Sequence, residues 1–238
     1  PIGKTALCWC PITAGGFFNG VFMLRESKGN MYDFVTHTWN PIKGKCQHDC
    51  SYCYMKRWGE QKPLHLDEKE LQTDLGSGNF IFVGSSTDMF ANDVPFMWIK
   101  KVLEKCSKFD NYYLFQTKNP YSICGLPIPC DSVICTTIET NRLYPEIMGR
   151  SIPPKARAEA MKYIDRRKFV TIEPIIDFDL PEMVDLIQEC NPVQVNIGAD
   201  SGNNHLPEPT MDKLLQLIEE LKTFTTINRK SNLQRILR

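Results

Sequence analysis

From Met31 onward the chain repeats one rhythm, a short β-branched or aromatic run ending in polar residues and then a helical stretch with one apolar stripe. The runs are Met31–Thr38, Asn79–Val83, Tyr112–Lys118, Val133–Ile138, Phe169–Ile176 and Val193–Gly198. Helices are predicted near Tyr54–Trp58, around Asp67–Leu75, over Asp93–Lys108 with Asp93 as cap, and over Pro154–Ile164. Two more follow, one opened by the capping pair Asp179 and Glu182 and ending at Cys190, the other over Thr210–Leu221. Six units between residues 31 and 222 come to about 32 residues each, the size of a βα unit, which predicts an α/β fold with a parallel sheet.

Residues 46–53 read Cys46-Gln47-His48-Asp49-Cys50-Ser51-Tyr52-Cys53, reached through His37-Thr38-Trp39-Asn40-Pro41. Thiolates are soft ligands, so three of them in eight residues suggest a metal before a disulfide. A closed structural site takes four protein ligands; three imply either an open coordination position or a fourth donor elsewhere. A zinc module using Cys46, His48, Cys50 and Cys53 is the non-catalytic alternative.

The triplet, with Tyr52 before its last cysteine, resembles the cluster loop of the radical S-adenosylmethionine (radical SAM) enzymes. Thr36-His37-Thr38-Trp39-Asn40-Pro41, Thr171-Ile172-Glu173-Pro174-Ile175 and Ile197-Gly198-Ala199-Asp200-Ser201-Gly202 are similar to successive signatures of a radical SAM family found in phages and mobile elements. The resemblance implies a partial (β/α)6 TIM-like barrel. It also implies a 4Fe-4S cluster on Cys46, Cys50 and Cys53, with SAM chelating the remaining iron and an external electron donor such as flavodoxin, ferredoxin or, in vitro, dithionite. His48 is not expected on iron, since it would take the position SAM needs. Tyr52 would pack beside the cluster and address adenine through its backbone. Gly84-Ser85-Ser86 stands where the family's glycine-rich motif binds the methionine amino group, with serines where Gly-Glu is common. Glu139 and Asn141 resemble the residues that bind the SAM ribose.

Alternation along strands carries the reading further. If Glu139 points inward, so do Thr137 and Cys135; Glu173 brings Thr171, and Asn196 brings Gln194. Ile134, Ile138, Ile172, Val193, Val195 and Ile197 would then face the helices, and the interior would be a wet cavity with its polar groups at the carboxyl ends of the strands. Glu173 is expected to contact SAM or substrate, with a structural ion pair as the other reading. Thr117 and Thr137 join the cofactor-contact set; Lys118, Asp88, Asp200 and His205 are candidates for substrate contact. Lys118 and Asp88 are the candidate reacting groups, with Cys135, whose inward thiol could donate a hydrogen atom unless it is a buried apolar cysteine.

Formal charge is zero and the pI about 7.2, which excludes a global electrostatic footprint for nucleic acid and leaves only a local basic groove. The layout is nonetheless similar to a DNA-repair branch of the superfamily, so a nucleic acid or nucleotide substrate is favoured over a peptide, protein or small metabolite. No run approaches the roughly 18 apolar residues of a membrane span, and the start lacks a basic region followed by an apolar stretch, so a cytoplasmic protein without membrane contact is expected. Residues 1–30, with Gly15-Gly16, Gly20 and Gly29, form an expected hairpin or covering segment, in which Cys8-Trp9-Cys10 is structural rather than a second metal site. Residues 223–238 form a basic tail with Arg229, Lys230, Arg235 and Arg238, and Leu233, Ile236 and Leu237 at helical spacing. It reads as a terminal helix or closing element, or as a contact for nucleic acid or a companion protein.

Overall fold

Five of the six runs become strands along most of their apolar length, whereas Met31–Thr38 forms a strand only from His37. The computed structural model describes residues 23–27 and 32–238. The Cys8-Trp9-Cys10 stretch and most of the expected N-terminal hairpin lie outside those residues. In chain order the strands are β1 (Arg25–Glu26), β2 (His37–Trp39), β3 (Ile42–Lys43), β4 (His65–Leu66) and β5 (Phe80–Val83). Helix α1 (Phe96–Cys106) leads to β6 (Tyr112–Thr117) and β7 (Ser132–Thr137), then to α2 (Pro145–Met148) and α3 (Pro154–Met161). The remainder is β8 (Arg167–Ile172), α4 (Leu180–Cys190), β9 (Gln194–Ile197), α5 (Met211–Lys222) and β10 (Thr226–Arg229).

The main sheet runs β1-β2-β5-β6-β7-β8-β9-β10, parallel throughout except that β1, a two-residue edge strand, pairs antiparallel with β2. This is the α/β, partial TIM-like barrel anticipated from the sequence. β3 and β4 make a separate two-stranded antiparallel sheet. The tail differs from a terminal helix: Thr226–Arg229 pairs in parallel with β9, and Ser231–Arg235 forms a 3-10 turn that buries Leu233. β-branched Thr226 and Ile227 explain the preference, since the pleated surface beside β9 accepts them.

Two cores sit on opposite faces of the sheet. On the outside, Ile81, Val83, Tyr113, Phe115, Ile134, Ile138, Val170, Ile172, Val195 and Ile197 pack against the helices through residues such as Val102, Met183, Leu186, Leu214 and Leu221. On the inside, Phe82, Leu114, Val133, Cys135 and Phe169 close around Tyr32 and Val35, with Phe34 and Phe80 against them. Alternation therefore holds, with one exception: Val193 lies just before β9 and is 51% exposed. The expected wet cavity is corrected as well. The amino-terminal halves of the strands carry apolar residues on their inward side, so the lower interior is dry and filled, and the Tyr32 and Phe34 rings stack at 5.3 Å within it. Polar side chains begin one layer up, where register aligns Thr137, Thr171, Asn196 and Asn228.

Helix ends depart from expectation for identifiable reasons. Asp179 stands at the N-cap of α4 but its carboxylate is held by the Arg142 guanidinium, so it makes no capping bond. Asp93 lies before Pro95, which occupies the N-cap of α1. Thr210 caps α5, its hydroxyl accepting from the Lys213 amide. The stretch at Asp67–Leu75 shortens to a 3-10 turn, Glu70–Gln72, and Tyr54–Trp58 is also a 3-10 helix.

Candidate active site

The cysteine loop leaves β2 at its carboxyl end, and each turn of it is clamped. Asn40 Oδ1 accepts from the Ser86 amide (2.9 Å) and from the Ser85 and Ser86 hydroxyls (3.1 Å each), tying the loop's entrance to the turn after β5. Gly84 opens that turn at φ +77°, a left-handed conformation that favours glycine. Helix α2 forms the other wall: the Ser51 amide donates to Ile147 O (2.9 Å) and the Arg150 amide to His48 O (2.7 Å). Gly149 makes this approach feasible, because a Cβ there would lie 2.2 Å from His48 O.

His48 is turned into the protein, its Nε2 2.7 Å from Asp88 Oδ2. That carboxylate also accepts from Thr117 Oγ1 (2.9 Å), the Lys118 amide (2.8 Å) and the Phe90 amide (3.0 Å). Burial alone would raise the Asp88 carboxyl, but His48 and these donors hold it below its usual range. Asp88 is thus a saturated tether between the cysteine loop and β6, with Thr117 part of the same tether, rather than an exposed acid or base.

Lys118, one residue beyond β6, is the charge closest to the thiols. Its Nζ lies 3.0 Å from Cys50 Sγ and 3.1 Å from Glu139 Oε1, donates to the Tyr52 hydroxyl, and stands 4.5 Å from the Tyr52 ring centre. The Tyr52 hydroxyl in turn donates to Glu139. Glu139 is fully buried, and its second oxygen receives Arg157 Nη1 at 2.7 Å. Arg157, also fully buried, further donates to Thr137 O (2.8 Å), Ser151 Oγ (2.8 Å) and Ile152 O. Burial opposes charge on Glu139, yet Arg157 and then Lys118 hold its carboxyl down to about 2. Burial likewise opposes charge on Lys118, which Glu139 and Cys50 outweigh, so the amine is raised. Burial, aided by Glu139 and Cys50, keeps the Tyr52 phenol well above its ordinary value.

All three loop cysteines are free thiols, Cys50 buried and Cys46 and Cys53 partly exposed. Burial, with Asp88 nearby, pushes Cys46 up to about 12. Among the described residues no three His, Cys, Asp or Glu side chains gather around a point that one metal ion would fill.

The other expected residues divide into two groups. Thr137 and Thr171 face the interior, Thr137 accepting from Gln116 Nε2 (3.1 Å) and Thr171 bonding the Tyr32 hydroxyl (2.6 Å). Glu173 reaches across Gly198, where a Cβ would meet its Oε1 at 2.6 Å, and pairs with Lys230 (2.6 Å) and Asn232 (3.0 Å). Its observed partners are therefore those of an ion pair, supplied by the tail. Cys135 sits in the dry layer with no accessible surface, its Sγ 3.6 Å from Thr171 Oγ1, and burial pushes its thiol up to about 12. The Asn141 amide is bonded to Asp179, its Nδ2 donating to the carboxylate (3.3 Å) and its Oδ1 accepting from the Asp179 amide (2.9 Å). Asp200 closes the turn to Asn204, and His205 is exposed. Arg157, Lys230, Asn232 and Tyr32 were missed from sequence. Arg157 did carry a signal, a charged residue three positions after Pro154 and four before Met161, on the buried stripe of α3.

No family model matches the chain, and no curated protein matches it by sequence. Solved structures do match by shape. A tyrosine-to-phenylalanine mutant of spore photoproduct lyase aligns with TM-score 0.64 at 10% identity, over 87% of this chain and 80% of that one. A cysteine-to-alanine mutant of the same enzyme gives 0.64 at 11%, with the same coverage. A double mutant with bound AdoMet and dinucleoside spore photoproduct gives 0.57 at 12%, over 85% of this chain and 66% of that one, just under two thirds of its length. Identities this low establish a shared fold and leave function to the site.

Proposed function

We propose that this chain is a radical SAM enzyme acting on a nucleic acid or nucleotide. The observation that carries the reading is the loop after the first parallel strand, which presents Cys46, Cys50 and Cys53 as free thiols at the carboxyl end of the sheet, with the Lys118 ammonium 3.0 Å from Cys50 Sγ. Three thiols on one loop are the donor chemistry that a 4Fe-4S cluster would take, and Cys46, Cys50 and Cys53 are the residues that would hold it. His48 supports this over the zinc module, since its Nε2 faces Asp88. When bound, the cluster supplies the electron that cleaves SAM to a 5'-deoxyadenosyl radical, which takes a hydrogen atom from the substrate.

The chain's own residues orient and seal this centre. Lys118 offers a cation to a carboxylate bound beside Cys50, and Glu139 with Arg157 holds Lys118 and Tyr52 in place. Asn40 fixes the Gly84–Ser86 turn, which presents backbone to an amino group. Thr137, Thr171 and Glu173 supply the polar wall facing the ligand, and the dry layer beneath them excludes water from below. Cys135 lies within that layer as a buried apolar cysteine rather than as a hydrogen-atom donor. The nucleic-acid leaning is supported by the solved relative bound to a dinucleoside spore photoproduct. An external electron donor completes the set of partners.

Anaerobic reconstitution with iron and sulfide tests the reading. The expected product is a brown protein that forms 5'-deoxyadenosine from SAM under dithionite, and loses both properties when Cys46, Cys50 and Cys53 are changed to alanine. A colourless protein holding one tight zinc would overturn it.

A further inference from the structure

The sequence places its basic cluster in the tail, yet two of those four residues are consumed internally: Lys230 by Glu173 and Arg235 by Glu208. The exposed cations gather elsewhere. The 3-10 helix Tyr54–Trp58 lies across the barrel mouth, the Tyr54 hydroxyl donating to Ser85 O beyond β5 (3.0 Å) and Arg57 Nη2 to Ser201 O beyond β9 (2.6 Å). At its end Trp58 is 77% exposed, preceded by Lys56 and Arg57. Lys56 pairs with Asp49 (3.0 Å), on which Lys45 and Arg150 also bear, and the Lys45 amide bonds Lys62 O (2.8 Å). Against these five cations stand Asp49, Glu60 and Glu146 on the same segments, in a chain whose formal charge is zero.

We propose that this rim, the outer face of the cysteine loop and the helix after it, is a docking strip for single-stranded nucleic acid, with Trp58 as the stacking platform. The inference deepens the proposed function by naming where the substrate strand lies. Cations along a rim can neutralise phosphates, and an exposed indole beside them offers a face on which any base can stack. An acidic protein would use the cations but has no need of a protruding indole. The strip also ends at Ser201, so a strand held there would deliver a base to the mouth.

The test uses the full reconstituted chain and a labelled oligothymidylate of about 12 nucleotides, followed by fluorescence anisotropy as salt rises from about 50 to about 200 mM. Affinity should fall with a log-log slope of about −0.7 per phosphate neutralised. Trp58→Ala should weaken binding about tenfold and leave that slope unchanged, whereas Trp58→Phe retains most of the affinity. Lys45→Ala with Lys62→Ala should flatten the slope by about 1.4, twice the single-strand value per phosphate. Circular dichroism confirms that the variants fold. Absence of binding at low salt, binding indifferent to all the variants, or a strip that takes only an acidic flavodoxin overturns the proposal. Oligonucleotide binding that persists in a preparation unable to cleave SAM would sink the enzyme reading and leave the strip standing.

Discussion

Arg157→Met should be among the most damaging single changes in the chain, although Arg157 lies well outside the cysteine loop. The arginine and Glu139 are both without accessible surface, 2.7 Å apart, and Arg157 also serves Thr137 O and Ser151 Oγ. Removing one partner of a buried ion pair typically costs about 3–5 kcal/mol, and here Lys118, 3.1 Å from Glu139, remains to offset part of that loss. The ionisation of Glu139 gives a second route to the size: its carboxyl falls from 4.5 to about 2 on folding, despite burial, because Arg157 and Lys118 favour the charged form. At 1.36 kcal/mol per unit this corresponds to about 3 kcal/mol. Since the folded value is the lower one, this stabilisation is complete above the unfolded value near 4.5 and disappears as pH falls through about 2. Urea unfolding of wild type and variant between about pH 7 and pH 2 measures both effects. Arg157→Met should lose about 3 kcal/mol or more at pH 7, and the acid-side slope due to Glu139 should flatten, because burial then raises its carboxyl. A variant destabilised by less than about 1 kcal/mol at pH 7 with the wild-type acid slope intact would refute the reasoning.

Gly149→Ala should lower the iron bound per chain after reconstitution, because its Cβ would press on His48 O at 2.2 Å and Asp49 O at 2.8 Å; Gly125→Ala, equally left-handed but facing open space, should bind iron normally. Lys230→Met should cost about 3 kcal/mol in thermal or urea unfolding by leaving Glu173 without its lysine, while Arg238→Ala on the exposed tail should stay within about 0.5 kcal/mol. Lys118→Met should weaken SAM binding at least about tenfold by calorimetry, in a protein whose iron content is unchanged, a charge-assisted hydrogen bond being worth about 1.5–3 kcal/mol.

The barrel was legible because its signal is periodic and local. Phe80–Val83, Tyr112–Thr117 and Gln194–Ile197 lie inside the runs read from sequence, and parity correctly separated Thr137 and Thr171 from Ile134 and Ile172. What failed depended on partners distant in sequence. Asp179 reads as a cap until Arg142, 37 residues earlier, takes its carboxylate. The Asn141 amide is likewise engaged by Asp179, 38 residues later. The tail reads as a terminal helix or a closing element, and the open edge of β9 selects the second by pairing with Thr226–Arg229. Arg157 and Lys230 were passed over because long basic side chains are ordinarily solvated, and only the tertiary structure reveals a carboxylate waiting for each.

Strict two-residue parity in β7 bears on how the chain can be altered. Deleting or inserting a single residue within Ser132–Thr137 would flip every side chain beyond the change to the opposite face, taking Ile138 out of the outer core and parting Glu139 from Arg157. Length variation should therefore be confined to the connections beyond the carboxyl ends, such as residues 201–206, where added chain is entropically cheap and disturbs no register. Libraries meant to retarget the protein should vary loop length there and vary only residue identity within the strands.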